Sequence, residues 1–181
     1  TEDIVKAIAK MPLHFQPGTH WRYGLNHDVL GRLIEVWSGM KFGDYLKKYI
    51  FEPCGMSKTG FKATDEIKKK MPPMYRRYDE ENGTVMRKTD CTCEYAFGED
   101  SPYESGGAGL ISCVEDYVKV PAALANGGVS PITGERILSM RTIDLMRTNL
   151  MNETMAKDYS LSLRGYGYGL GVRTHITKAH G

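Results

Sequence analysis

The sequence predicts an α+β fold that is mainly helical, with one surface β-hairpin and one strand near its end. Three observations carry this reading. Apolar side chains recur at helical spacing over most of the chain, an Asn82-Gly83 pair separates two short runs of strand-forming residues, and residues 165–172 alternate glycine with larger side chains. The expected organisation is a single incomplete domain over residues 1–181: a mainly helical region 1–164 with the hairpin at about 72–90, then a strand of a larger sheet at 165–176.

Within residues 1–11, Ile4, Val5 and Ile8 share one face of an opening helix. Pro17 fixes φ and Gly18 tolerates positive φ, the pairing expected in a tight turn. The chain resumes through Trp21 and Tyr23, and Asn26 or its neighbour can cap a helix over about 27–37 with Val29, Leu30, Leu33, Ile34 and Trp37 as its buried stripe. Ser38-Gly39 ends it. Phe42, Tyr45, Leu46, Tyr49 and Ile50 mark a second helix, expected to form a hairpin with the first, until Pro53 and Gly55 break it.

From Lys62 to Asp90 the chain is crowded with charge, and Lys68-Lys69-Lys70 reads as a solvated face. Tyr75 and Tyr78 on one side and Val85 on the other flank the Asn82-Gly83 turn of the hairpin. Ser101 to Gly109 is a small-residue loop, and Ser112 with Glu115 has the form of a capping box. The helix that follows would bury Val114, Tyr117, Val118, Pro121, Leu124 and Ala125, kink at Pro121 unless it is shorter than this, and close at Gly127-Gly128. Ser139 can cap a further helix with Ile143, Met146 and Leu150 inward. In a strand, the alternation at 165–172 places four glycines on one face and Tyr166, Tyr168, Leu170 and Val172 on the other. A glycine face lets another backbone or a helix come very close, and with no partner strand in view the pattern implies a missing sheet.

Bulk composition excludes several functions. With Lys+Arg 24 against Asp+Glu 22, the net charge of +2 supplies no field that would select nucleic acid or an anionic membrane. No apolar run approaches the roughly 18 residues of a membrane span. The four cysteines, Cys54, Cys91, Cys93 and Cys113, form no C-x-x-C pair, and Cys91-Thr92-Cys93 lacks a second pair of ligands. His14, His20 and His27 match no helical metal motif, so neither metal nor cofactor is expected. Free thiols lean toward a reducing, cytoplasmic compartment.

Candidate chemistry is sparse. Tyr23 lies in a loop held by a turn on one side and a helix start on the other, where a phenol can be placed firmly with its tip accessible; the bland alternative is that Trp21 and Tyr23 only pack. Two short strings imitate serine-acylase motifs. Ser38-Gly39-Met40-Lys41 matches S-x-x-K, but such a serine needs a helix N-terminus and Ser38 closes a helix. Lys58-Thr59-Gly60 matches K-T-G, yet it follows a broken loop about 20 residues later, too soon for a core sheet strand. Both are read as coincidence. The G-x-S-x-G elbow does not occur, and G-x-G-x-G at residues 165–169 lacks the helix start of a dinucleotide site.

An ordered series runs through the chain: F-x-P-G-T-x-W-x-Y, L-G-R-L-I-E-V-x-S-G, F-G-D-Y-L, I-F-E-P-C-G-M, T-G-F, G-G-A-G-L-I-S, E-D-Y and G-Y-G-Y-G-L-G. It resembles the serine β-lactamase and penicillin-binding-protein-like superfamily, nearest to class C β-lactamases and their carboxylesterase branch, from Thr1 to about Val172. The resemblance implies the helical subdomain of the β-lactamase/transpeptidase-like fold, with the last strand belonging to an incomplete main sheet. It places Tyr23 on the tyrosine of the family's Tyr-x-Asn motif. Leu25 holds the usual asparagine position and Asn26 comes one later, which resembles the esterase branch and puts β-lactam hydrolysis in doubt.

The resemblance further implies an acyl-serine mechanism in which a lysine and Tyr23 share the proton work. An ordinary phenol ionises only near pH ~10, so a lysine cation must favour its anion or relay its proton. Substrate-side residues would be Asn26, Ser105, Gly107 and Ala108, the small-residue loop lining the cleft opposite Tyr23 and leaving room for an acyl group. The family's S-x-x-K is expected upstream of Thr1 and its K-T-G, H-x-G or W-G-G motif beyond Gly181; His180-Gly181 comes too soon after the glycine strand to be assigned. The expectation is a fragment inactive by itself, from a parent acting on a small-molecule ester, amide or β-lactam, with self-association possible through an unpaired strand or open core. The competing expectation is a non-catalytic helical binding or scaffold module of the same descent.

Overall fold

In the computed structural model, residues 1–80, 83–89, 103–159 and 165–176 are described. Helix α1, Glu2–Ile8, half-buries Ile4, Val5 and Ile8 as their spacing requires, and Arg32 ties it to the next helix by bridging Glu2 at 2.6 Å and Glu35 at 3.0 Å. Helix α2, Asn26–Ser38, ends at Gly39 with φ of 69°, a left-handed turn that glycine adopts without strain. It departs from expectation at both its cap and its buried face. The N-cap is Leu25, whose carbonyl accepts from the Asp28 and Val29 amides, and Asn26 is the first helical residue with no capping bond.

The buried face of α2 is led by Asp28 and Gly31, with Arg32, Leu33, Ile34 and Glu35 half-buried, while Leu30 and Trp37 are 52% and 77% exposed. Apolar spacing was right for Val29, Leu33 and Ile34, which are half-buried, and wrong for Leu30 and Trp37, because two tertiary contacts choose the rotation. A carboxylate at 28 meets donors from a distant loop, and the bare Cα of Gly31 lets the Phe42 ring sit where a Cβ would lie 3.3 Å from it.

Helix α3, Phe42–Leu46, runs directly into a π-helical turn, Lys47–Phe51, and packs back on α2 as the expected helical hairpin. Phe51, Cys54, Met56 and Ala123 form the main apolar core, joined by half-buried Leu46, Ile50, Val120 and Ile137. Phe42 and Phe61 pack beside it with ring centroids 5.5 Å apart. Helix α4, Asp65–Lys70, was not anticipated in the charged stretch. Thr64 caps it, and Lys68 and Lys70 pair with Asp65 and Glu66 on its exposed surface.

Strands β1, Met74–Glu80, and β2, Gly83–Thr89, form the expected antiparallel hairpin with Tyr78 opposite Val85. Asn82 of the turn, like Cys91, Cys93 and His180, lies outside the described residues. The single helix expected over 114–125 is two short ones, α5, Val114–Tyr117, and α6, Lys119–Ala125, which meet at Val118. Pro121 has no N–H to give to Tyr117, so the ladder lapses there. No capping box forms: Cys113 is the N-cap without a side-chain capping bond, Ser112 Oγ hydrogen-bonds Thr59 Oγ1 at 2.7 Å, and Glu115 bridges Lys58 at 3.0 Å. Asp116, Lys119, Val120 and Ala123 turn inward, leaving Val114 and Tyr117 83% and 69% exposed.

Ser139 caps α7, Met140–Met146, through the Thr142 amide, with Ile143 and Met146 half-buried as expected; Leu150 lies beyond the helix and is exposed. Asn152 caps α8, Glu153–Asp158, a helix the sequence reading missed. Residues 165–172 correct the picture of a lone strand. Strand β3, Tyr166–Tyr168, pairs antiparallel with β4, Arg173–His175, after a turn in which Gly171 takes φ of 75°. The glycine face does permit close approach: Leu170 N donates to Met146 O at 2.9 Å, and a Cβ on Gly169 would lie 1.9 Å from that oxygen.

Candidate functional site

The Tyr23 loop is fixed by contacts made before and after it. Gln16, Pro17, Gly18 and Thr19 form a type II turn, with Gly18 at φ of 83° and Thr19 N donating to Gln16 O at 3.1 Å. Asp158, at the end of α8, accepts from Trp21 N at 3.0 Å and binds His20 Nδ1 at 2.8 Å. The two donors hold its carboxyl below the ordinary value, the Trp21 amide first and then His20. The Trp21 ring stands edge-on to Tyr159 at 4.8 Å, with Tyr168 of β3 at 6.3 Å. Trp21 therefore packs, while Tyr23, two residues later, is 86% exposed and has no hydrogen-bond partner among the described residues. The sequence left open whether Tyr23 is accessible or packs, and gave no sign that α8 and β3 hold its loop.

On the other side lies Asp28, only 1% exposed. Its Oδ1 accepts from Tyr103 Oη at 2.6 Å and Ser105 Oγ at 2.8 Å, and the Gly106 and Gly107 N–H groups also face the carboxylate. Burial alone pushes this carboxyl up, but the four donors together outweigh it and hold the group below its ordinary value. Ser105 Oγ in turn accepts from Gly107 N at 3.3 Å and Ala108 N at 3.2 Å.

The loop thus presses onto the first turn of α2. A Cβ on Gly106 would lie 2.2 Å from His27 O, and one on Gly109 would lie 2.8 Å from Ser105 N. These two glycines are demanded by packing of the loop itself. Asp28 and Tyr103 were missed because an aspartate in a first helical turn is ordinary in sequence. Nothing local announces that donors 75 and 77 residues away reach it.

Of the sequence-designated residues, Asn26, Ser105, Gly107 and Ala108 fall around this junction, and Tyr23 lies three residues before Asn26. The two imitation motifs sit elsewhere. Ser38 Oγ donates to Ile34 O at 2.6 Å at the closing end of α2, and Lys58 N donates to Asp116 Oδ2 at 2.7 Å outside any core strand. A shallow cleft of about 290 Å³ beside α3, lined by Lys47, Phe51, Lys58, Phe61 and Glu104, includes none of the designated residues. Among the described residues no cluster of His, Cys, Asp and Glu could hold a metal ion, and no helix is long and apolar enough to cross a membrane.

Comparison with known proteins joins these pieces. The Beta-lactamase family model matches residues 1–180. Protein Rv1367c of Mycobacterium tuberculosis is 27% identical over 180 residues, covering 96% of this chain and 43% of its own length. Esterase EstB of Burkholderia gladioli is 27% identical over 146 residues, 73% of this chain and 36% of that protein. Among solved structures, simvastatin synthase (LovD) from Aspergillus terreus superposes with a TM-score of 0.77 at 23% identity, over 94% of this chain and 44% of that one. The chain spans less than half the length of these relatives. An ordered motif series, a matching family model and a shared fold agree, and the chain belongs to the beta-lactamase family.

Proposed function

We propose that this chain carries the tyrosine side of a serine hydrolase site that works through an acyl-serine intermediate, with esters favoured over amides and β-lactams. The observation that carries the reading is the placement of Tyr23: an open phenol with no partner among the described residues, on a loop held by Trp21 and Asp158 before it and by α2 after it. Such a group is free to exchange a proton with a serine hydroxyl and a lysine brought beside it. The serine oxygen then bonds to the substrate carbonyl carbon, the alkoxide leaves with a proton, and water releases the acid. Asn26, Ser105, Gly107 and Ala108 form the substrate side. Leu25 at the usual asparagine position, together with likeness to an esterase, supports the preference for esters.

On this reading the serine and lysine come from sequence beyond these 181 residues, since Ser38 closes α2 with its Oγ on Ile34 O and Lys58 Nζ pairs with Glu115, and the chain alone is inactive. Two measurements test it. Purified residues 1–181 should leave p-nitrophenyl esters and a chromogenic cephalosporin intact; robust turnover abolished by Ser38→Ala would refute the assignment. In the protein extended to include an S-x-x-K serine, Tyr23→Phe should lower ester kcat by about a hundredfold or more. Unchanged turnover there would refute the role given to Tyr23, whereas a full-length parent lacking S-x-x-K would favour a non-catalytic binding or scaffold module on the same fold.

A further inference from the structure

We infer that Asp28 is a positioning residue whose buried carboxylate locks the loop 103–109 to the start of α2 and so sets the separation between the two sides of the candidate site. The geometry singles it out. Asp28 is 1% exposed, and among the described residues hydrogen-bond donors rather than a cation meet its charge. Two hydroxyls, from Tyr103 at 2.6 Å and Ser105 at 2.8 Å, donate to its Oδ1, and the Gly107 backbone lies against its other oxygen, where a Cβ would be 3.2 Å from Oδ2. An ionised carboxylate is acceptor-only, so both hydroxyls turn their protons toward it.

The loop has no freedom to drift while that carboxylate is in place. Ser105 passes the constraint on through its own hydroxyl to Gly107 N and Ala108 N, and Gly106 lies against the backbone of His27. Residues 105 and 107–108, the substrate side of the proposed site, are thereby referred to the same helix that begins three residues after Tyr23. A site built from two chain segments needs such a shared reference to hold its geometry within a fraction of an ångström. That Asp28 acts on catalysis rests on the proposed function; that it clamps the loop does not.

The test therefore has two arms. Asp28→Asn keeps the side-chain volume but removes the charge and sets an amide donor where the carboxylate meets the Tyr103 and Ser105 hydroxyls and the Gly107 backbone. In residues 1–181, amide exchange at Gly106, Gly107 and Ala108 should accelerate about tenfold or more while the α7 amides of Ile143 to Met146 hold their rates. Tyr103→Phe, which removes one donor and leaves the carboxylate, should give a smaller effect at the same amides and covers the case in which Asp28→Asn fails to fold. Unchanged exchange at 106–108, or acceleration spread evenly over the molecule, overturns the clamp.

In the second arm, ester kinetics are measured in the protein containing the S-x-x-K serine. Asp28→Asn should cut kcat by about tenfold or more, and Asp28→Glu, which keeps the charge at a different reach, should restore part of it. If Tyr23→Phe abolishes turnover but Asp28→Asn leaves kcat and KM unchanged, the positioning role is wrong. If Tyr23→Phe leaves turnover intact, the proposed function fails and the exchange arm still decides the clamp.

Discussion

Replacing Asp116 by alanine should unfold this chain more readily than any surface change. The carboxylate is 2% exposed and accepts from Lys58 N at 2.7 Å, Thr59 Oγ1 at 3.0 Å and Lys119 Nζ at 2.9 Å. It fastens α5 to the 57–60 turn, and Lys119 also reaches the Gly55 carbonyl, so the cluster links both sides of the Phe51–Met56 core. Removing the anion leaves a largely buried ammonium with one carbonyl and strands two donors, a loss of about 3–4 kcal/mol. At an m-value of about 2 kcal/mol per molar urea, the midpoint should fall by about 1.5–2 M.

Asp116→Ala with Lys119→Met takes both charges away and should recover at least about 1.5 kcal/mol of that loss, because the stranded ammonium causes much of it. Urea unfolding followed by far-UV circular dichroism gives both numbers. A single-mutant loss below about 1 kcal/mol, or a double mutant no more stable than the single, would refute the reasoning. The pH dependence has a definite sign. Burial raises the Asp116 carboxyl, but Lys119, the Lys58 amide and Thr59 bring it below its ordinary value. Its stabilisation is therefore complete above the unfolded carboxylate value near pH ~4 and is lost as the pH falls through the lower folded value, a loss Asp116→Ala should no longer show.

Two further substitutions test how the Tyr23 loop and the last hairpin are held. Trp21→Ala removes the edge contacts to Tyr159 and Tyr168 and should cost about 2–3 kcal/mol in thermal or urea unfolding, whereas Trp21→Phe should cost less than half as much; equal losses would mean the ring packing is not what anchors the loop. Gly169→Ala drives a methyl to 1.9 Å from Met146 O, and since that oxygen belongs to backbone the hairpin must move, for about 2–3 kcal/mol; a loss within about 0.5 kcal/mol would show that β3 and β4 do not dock on α7 as described.

Several elements were legible before any coordinates. Pro17-Gly18 as a turn, the hairpin flanking residues 81–82, Ser139 as a cap and the close approach at the glycine face each rest on chemistry within a few residues of the position concerned. Helix faces were legible in α1 and α7 and only in part in α2 and α5–α6. Leu30, Trp37, Val114 and Tyr117 looked inward by apolar spacing and are exposed, while Val29, Leu33, Ile34 and Leu124 are half-buried as expected, because Asp28 and Asp116, each satisfied by donors far along the chain, set the rotation. Helices α4 and α8 were hidden by polar sequences that keep no apolar stripe, their starts marked only by Thr64 and Asn152.

By itself the sequence determined the family, through the order of its motifs, and which tyrosine to examine, since Tyr23 follows a Pro-Gly turn and precedes a helix start. It also exposed Ser38 and Lys58 as imitations, from the local breaks around them. Only the tertiary structure decided how the loop that carries it is held: Trp21 by Asp158, Tyr159 and Tyr168, and the start of the following helix by the 103–109 loop fastened to Asp28. The physical reason is the same in each case. Backbone turns, caps and breaks are written in neighbouring residues, whereas a buried carboxylate or an aromatic contact takes its meaning from partners that the chain brings together only when folded.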